Sequence, residues 1–304
     1  MQWSIALYFV AYTLIGVAAL AVWWLINELV LTRGYSVRRA VFGATPNAAV
    51  ALEMLGGFLA ISYLIHALIS MAPRTAFRLD VPSVVISIVI LLVLMAVLRL
   101  LMAVLLRVWF GNRKDRQGDY VTFNNELFRQ RNIATSLFST VLYIILVAGL
   151  TQLDLWDLEG YRYQRTMNML GIWLLGTVAV LIHSFLYLGY GPKNNILHEC
   201  FHDNNPAAPL SLVGFVAGLI PLNHYLLILM DPEQHMFSSL EHWQFLGAIV
   251  LYVLVARGVL QVALWVTTGI NLRRELVLND NVAWGLLDGG LIFSLFYILM
   301  SLLV

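Results

Sequence analysis

Between residues 198 and 202 the chain reads His198-Glu199-Cys200-Phe201-His202. H-E-x-x-H is the signature of zinc metalloproteases, in which two histidines on one helix face hold the ion and the glutamate acts as general base. A second group of residues raises a different chemistry. Glu53, Arg99, Arg257 and Asp288 stand inside apolar stretches, where ionisable groups are costly and mark ion pairs, proton relays or substrate paths.

A membrane-spanning chain must position them. Apolar residues make up 61% of the 304-residue sequence and charged residues 12%, with a mean hydropathy of +0.81. A soluble domain carries about twice that charge. Crossing a bilayer takes about 20 apolar residues. Eight segments qualify: Ile5–Val30, Ala48–Met71, Val81–Phe110, Ala134–Leu150, Met167–Tyr190, Pro209–Met230, Trp243–Thr268 and Val282–Val304. The longest connection, Gly111–Ile133, leaves no room for a soluble domain. The start has no positive n-region, so the first segment is expected to be a retained helix. The lone Cys200 can form no internal disulfide, and a net charge of +1 offers nucleic acid no basic surface.

Alternate connections hold Arg33, Arg38, Arg39, Arg107, Arg113, Lys114, Arg116, Arg129, Arg131, Lys193, Arg273 and Arg274, against Arg74, Arg78, Arg162 and Arg165 on the opposite side. This asymmetry predicts both termini outside the cytoplasm and His198 in a cytoplasmic connection.

Four stretches share the pattern N-x-A-x-x-L at the start of every second segment, led by Asn47, Asn132, Asn205 and Asn281. Nine residues on stand Gly56, Val141, Gly214 and Gly290; six residues earlier stand Glu126, Glu199 and Glu275, with Val41 in the first copy. Asparagine is a good helix N-cap, and small residues at helical spacing allow close approach of helices in lipid. The expected fold is an all-α membrane protein of eight transmembrane helices in four parallel two-helix repeats, at 1–76, 77–160, 161–238 and 239–304. Parallel repeats are related by an axis along the membrane normal, so the units are expected either to close round a fourfold centre or to pack as two halves.

The E-x5-N-x-A-x-x-L-x-x-x-G pattern resembles the repeat of the domain of unknown function 350 family. It is strongest from Glu275 to Gly290 and weakest in the second copy, which lacks the glycine. The resemblance implies a bacterial inner-membrane protein built from two-helix units, of a family often encoded near envelope-stress genes. It implies no particular reaction.

The repeat accounts for Glu199 as the counterpart of Glu126 and Glu275, leaving only His198 and His202 unexplained. Leu287-Asp288-Gly289-Gly290 is similar to the L-D-G-G that supplies a third ligand in site-2 proteases. Pro192 and the break at Asn204-Asn205-Pro206 confine the helix carrying the motif to about three turns. Gly189-Tyr190-Gly191 resembles a potassium-filter tripeptide, but it occurs once and without a pore helix, and it is set aside. Glu53 and Asp288 lie roughly 9–10 Å past their caps at 1.5 Å per residue, with Ser139 and Ser211 at the matching depth in the other copies. Arg99 and Arg257 are placed to reach them. His66, His183 and His224 read singly as buried hydrogen-bonding residues. The leading expectation is a channel or transporter-like conduit lined at this polar level. A structural or envelope-stress scaffold comes second, and a zinc protease using His198 and His202 third. No cofactor is expected, zinc being the alternative. The lipid bilayer is the expected partner, with homo-oligomerisation left open.

Overall fold

The computed structural model describes residues 2–32, 34–71, 77–111, 113–114, 118–152, 162–184, 195–230 and 240–302. Arg33, Arg74, Arg116, Lys193, Gly189-Tyr190-Gly191 and Pro192 lie outside them, as do the side chains of Arg78, Arg162, Arg165 and His224.

The described chain is helical apart from one isolated bridge between Lys114 and Tyr120. The long helices are α1 (Gln2–Ile26), α3 (Ala48–Met71), α4 (Phe77–Phe110), α5 (Ile133–Leu150), α6 (Arg162–His183), α8 (Ala207–Met230), α9 (Leu240–Thr268) and α11 (Val282–Leu302). Short helices α2 (Val37–Phe42), α7 (Ile196–Phe201) and α10 (Leu272–Val277) sit in the connections, and π-helical turns occupy Asn27–Leu31 and Asn125–Arg129. Seven of the long helices are apolar and long enough to cross a bilayer. The exception is α8, whose apolar stretch among the described residues is the shorter Ala207–Asn223. With every backbone polar group bonded within its own segment, helices satisfy what lipid demands. The fold class is therefore all-α membrane.

The helices form two layers. The Asn-led helices α3, α5, α8 and α11 stand side by side in that order, with α8 on α11 and α3 on α5 the most extensive contacts and α5 on α8 joining them. The other helices lie over the grooves: α4 on α3 and α5, α6 on α5 and α8, α9 on α8 and α11. Helix α1 packs chiefly on α3 and α4, and its Trp23 also meets Tyr143 of α5, ring centres 5.8 Å apart. No comparable contact brings α11 back to α3 among the described residues. The row is open, and the fourfold ring expected as one alternative is not formed. Burial follows position: 67% of the α5 span is buried within the chain, against 28% of the α11 span at the end of the row.

Glycine sets the closeness of the tightest contact. A Cβ on Gly214 would stand 2.0 Å from Gly289 O, and one on Gly285 2.5 Å from Ala207 O, so α8 and α11 meet backbone to backbone. In lipid, where apolar burial drives nothing, such close packing is what holds helices together. A Cβ on Gly56 would likewise meet Thr140 Oγ1 of α5 at 2.2 Å.

Candidate functional site

Each repeat asparagine is an N-cap, and each does more than cap. The side-chain oxygen accepts from a backbone N–H of the first turn: Ala49 at 3.0 Å for Asn47, Thr135 at 3.1 Å for Asn132, Ala207 at 2.9 Å for Asn205, and Trp284 at 3.4 Å for Asn281. The side-chain amide then donates in two directions. Within its own connection it reaches back to the glutamate: Asn132 to Glu126 at 2.9 Å, Asn205 to Glu199 at 2.8 Å, Asn281 to Glu275 at 2.9 Å. Across to the next connection it reaches a backbone carbonyl: Asn47 to Leu127 at 2.7 Å, Asn132 to Cys200 at 2.7 Å, and Asn205 to Leu276. In every case the acceptor is the residue after the repeat glutamate position. Glu199 makes the same contact as Glu126 and Glu275.

The tight connection needs an unusual backbone. Arg131, Asn204 and Asp280, each immediately before a repeat asparagine, have φ of 54°, 55° and 48°. This left-handed region is sparsely populated by residues with a Cβ, though Asn and Asp tolerate it better than most. It reverses the chain so that the Asn132, Asn205 and Asn281 amides reach the Glu126, Glu199 and Glu275 carbonyls, all at 2.9 Å. Pro46 holds this place in the first copy, and its ring forbids positive φ. The first connection is one residue longer instead, Asn47 N donating to Ala40 O at 2.8 Å. Ala40, not Val41, is therefore the counterpart of the glutamates. The same reversal corrects the expected length of the helix carrying His198. It runs from the Asn195 cap only to Phe201, less than two turns rather than three.

Deeper in the membrane lie two buried polar clusters, each drawing side chains from four helices. In the first, Arg99 of α4 donates to Asn27 beyond the end of α1, stands 3.6 Å from Glu53 of α3, and lies over the Phe123 ring at 4.9 Å. Tyr143 of α5 donates to Glu53 at 2.6 Å. In the second, Arg257 of α9 grips Asp288 of α11 with two bonds of 2.6 and 2.7 Å, Ser211 of α8 donates to the same carboxylate, and His183 of α6 meets Ser211 at 2.9 Å. All eight side chains are buried. Both expected pairs, Arg99 with Glu53 and Arg257 with Asp288, come together. Ser139 of α5 lies in hydrogen-bonding contact with Glu53, as expected, and its hydroxyl also reaches Thr135 O at 2.9 Å on its own helix. Tyr143, one turn deeper, contributes from α5 as well. Sequence reasoning missed Asn27 and Tyr143, and it read His183 alone. The available signal was a polar or ionisable residue inside every apolar stretch. His66 is exposed on α3.

His198 and His202 stack with ring centres 4.3 Å apart and planes at 15°, beside Asp203, which sequence reasoning had not singled out. Asp288, offered as a third ligand by the L-D-G-G resemblance, is instead bound to Arg257 in the buried cluster. Cys200, two residues from each histidine in the sequence, is buried, and burial, then the neighbouring Glu199 charge, pushes its thiol well above the usual range.

An all-α polytopic core with charged groups buried only in hydrogen-bonded clusters defines an integral membrane protein of multi-pass type. Residues 1–152 match the family model described as Domain of Unknown Function (DUF350), and the chain belongs to that family. The matched part ends just past α5, so it includes Asn27, Glu53, Arg99 and Tyr143. No curated protein and no solved structure matches the chain.

Proposed function

We propose that this protein is a self-assembling membrane scaffold, built from four two-helix units joined in series and extended by further copies of itself. The observation that carries this reading is the joint. The amide of one repeat asparagine donates to the carbonyl after the next glutamate position three times along the row, and the fourth asparagine meets no fourth such carbonyl among the described residues. Asn281 spends one amide hydrogen on Glu275 and is only half-buried, whereas the other three caps are buried. A Cβ on Gly290 would meet nothing within 4 Å. At the other end Val41, the counterpart of the acceptors Leu127, Cys200 and Leu276, is half-buried, and no Asn-led helix precedes α3 among the described residues. These unlike ends complement each other. A head-to-tail joint of this kind grows into a ring or a filament according to whether its rotation closes. In the proposed orientation the joints lie on the cytoplasmic face of a bacterial inner membrane.

Disulfide trapping in membranes tests the joint. Thr135, three residues after its cap, approaches Cys200 O at 3.4 Å, and the equivalent pair between copies is Trp284 with Val41. In a Cys200→Ser background, Trp284→Cys with Val41→Cys should give a ladder of dimers and higher species on oxidation, and each variant alone should give none. Dimers from a single variant would indicate a twofold interface. That result, or the absence of any cross-link from the pair, defeats the reading.

A conduit is the second reading, favoured by one observation. Glu53 Oε2 and Arg99 Nε are buried without a hydrogen-bond partner among the described residues, and such groups invite water. Ion flux in liposomes that falls in Glu53→Gln while stability is kept would favour it over the scaffold.

A further inference from the structure

His198, His202 and Asp203 carry chemistry that neither the cap joints nor the buried clusters use. Their ligating atoms all lie within 4.8 Å of one another. His198 Nε2 is 3.6 Å from Asp203 Oδ2, and His202 Nδ1 is 2.8 Å from Asp203 Oδ1. Around a tetrahedral zinc ion with bonds of about 2.0–2.1 Å, neighbouring donors sit about 3.3 Å apart, so seating an ion asks for shifts of about 1 Å. The local fold explains the convergence. His198 lies on α7 and His202 caps its end one turn later, and Asp203 follows in the bend that leads into left-handed Asn204. Phe110 at the end of α4 closes one side, its ring 6.4 Å from that of His198.

We propose that these three residues form a binding site for a divalent transition-metal ion of the zinc type. Two imidazoles and one carboxylate suit such an ion, whereas calcium and magnesium prefer oxygen ligands alone. Three protein donors leave a fourth position for water or another ligand. The site is distinct from that of an H-E-x-x-H protease. Glu199, which would have to activate the bound water, is 1% exposed and holds the Asn205 amide at 2.8 Å. An ion here ties the end of α7 to the turn that delivers Asn205, and so braces one joint of the row. The metal site stands independently of the scaffold reading, because its ligands come from one connection of one chain.

The test uses the full chain in detergent, stripped with a chelator and titrated first with Co2+ as a spectroscopic probe and then with Zn2+. The expected result is one ion per chain, visible d–d bands in the Co2+ form, and displacement of Co2+ by Zn2+. His198→Gln and His202→Gln should each weaken binding at least about tenfold. Glu199→Gln should leave it unchanged, since the substituted amide oxygen still accepts from Asn205. In the parent chain, bound Zn2+ should protect both histidines from acylation by diethylpyrocarbonate, read by mass spectrometry; this readout requires no variant to fold. Binding well below one ion per parent chain overturns the proposal. So does undiminished binding in the doubly substituted chain, equal histidine acylation with and without Zn2+, or loss of binding in a folded Glu199→Gln chain.

Discussion

Removing the charge of Asp288 separates a structural ion pair from a solvated acid. In the folded chain Arg257 gives both of its inward-facing donors to this carboxylate at 2.6 and 2.7 Å, and both residues are about 5% exposed or less. Asp288→Asn keeps the shape but removes the carboxylate charge that this buried guanidinium grips. Breaking a buried pair from one side costs about 3–5 kcal/mol, and about 1.4 kcal/mol is tenfold in an equilibrium constant, so the folded-to-unfolded ratio should drop by about two to four orders of magnitude. Replacing the pair whole, with Arg257→Leu and Asp288→Leu together, removes the buried guanidinium as well and should recover most of that loss. Ser211 and His183 still satisfy each other at 2.9 Å in that variant. Reversible denaturation in mixed micelles, followed by circular dichroism, measures both chains. A single variant within about 0.5 kcal/mol of the parent, below the range for a broken buried pair, refutes the argument. So does a double variant no more stable than the single.

The first cluster should respond more weakly. Glu53 is 3.6 Å from Arg99, and Arg99 has Asn27 as a second partner; Glu53→Gln should cost about 1.5–3 kcal/mol, the range for a hydrogen bond to a charged group, in the same denaturation assay. Among the glycines, Gly214→Ala and Gly289→Ala should each destabilise the α8–α11 contact by about 1–3 kcal/mol through overpacking, because the added carbon would meet backbone at 2.0 and 2.6 Å. Gly290→Ala, facing open space, should leave monomer stability unchanged, and equal losses at all three positions would contradict the packing account. Asn205→Ala removes a cap and two further bonds, to Glu199 and to Leu276 O, so it should cost more than Asn281→Ala, which removes a cap and one bond to a Glu275 that keeps Asn279 at 2.8 Å. Thermal unfolding orders the two. Cys200 should resist maleimide in the folded chain through the ordinary thiol range and react fully on denaturation. Because its folded-state pKa is raised, the stability tied to the neutral thiol is complete below the ordinary thiol range. It is lost as pH rises through that range toward the folded value, where the unfolded chain ionises first. Alkylation rates and denaturation midpoints against pH test both statements.

The sequence by itself determined the membrane class and the positions of the Asn-led helices. Apolar runs need only counting, and an N-cap is a local hydrogen bond within one turn of its own helix. It also determined that Glu199 belongs with Glu126 and Glu275, because each contact spans six residues of one connection. The pairing of Arg99 with Glu53 and Arg257 with Asp288 was legible too, since a buried charge in lipid has few places to go. Tertiary structure decided the rest. Tyr143 joins Ser139 at Glu53 because helix rotation, which no spacing in the sequence reports, brings two successive turns of α5 to the same carboxylate. The counterpart of the glutamates in the first connection is Ala40 because proline bars the left-handed step there, and the loop lengthens to recover the amide bond. The joint between neighbouring units rests on carbonyls at Leu127, Cys200 and Leu276, backbone atoms that carry no residue signature at all. The open row has the same kind of cause. Helices α8 and α11 meet backbone to backbone at Gly214 and Gly289, and among the described residues no comparable contact, of a kind that spacing alone does not report, brings α11 back to α3.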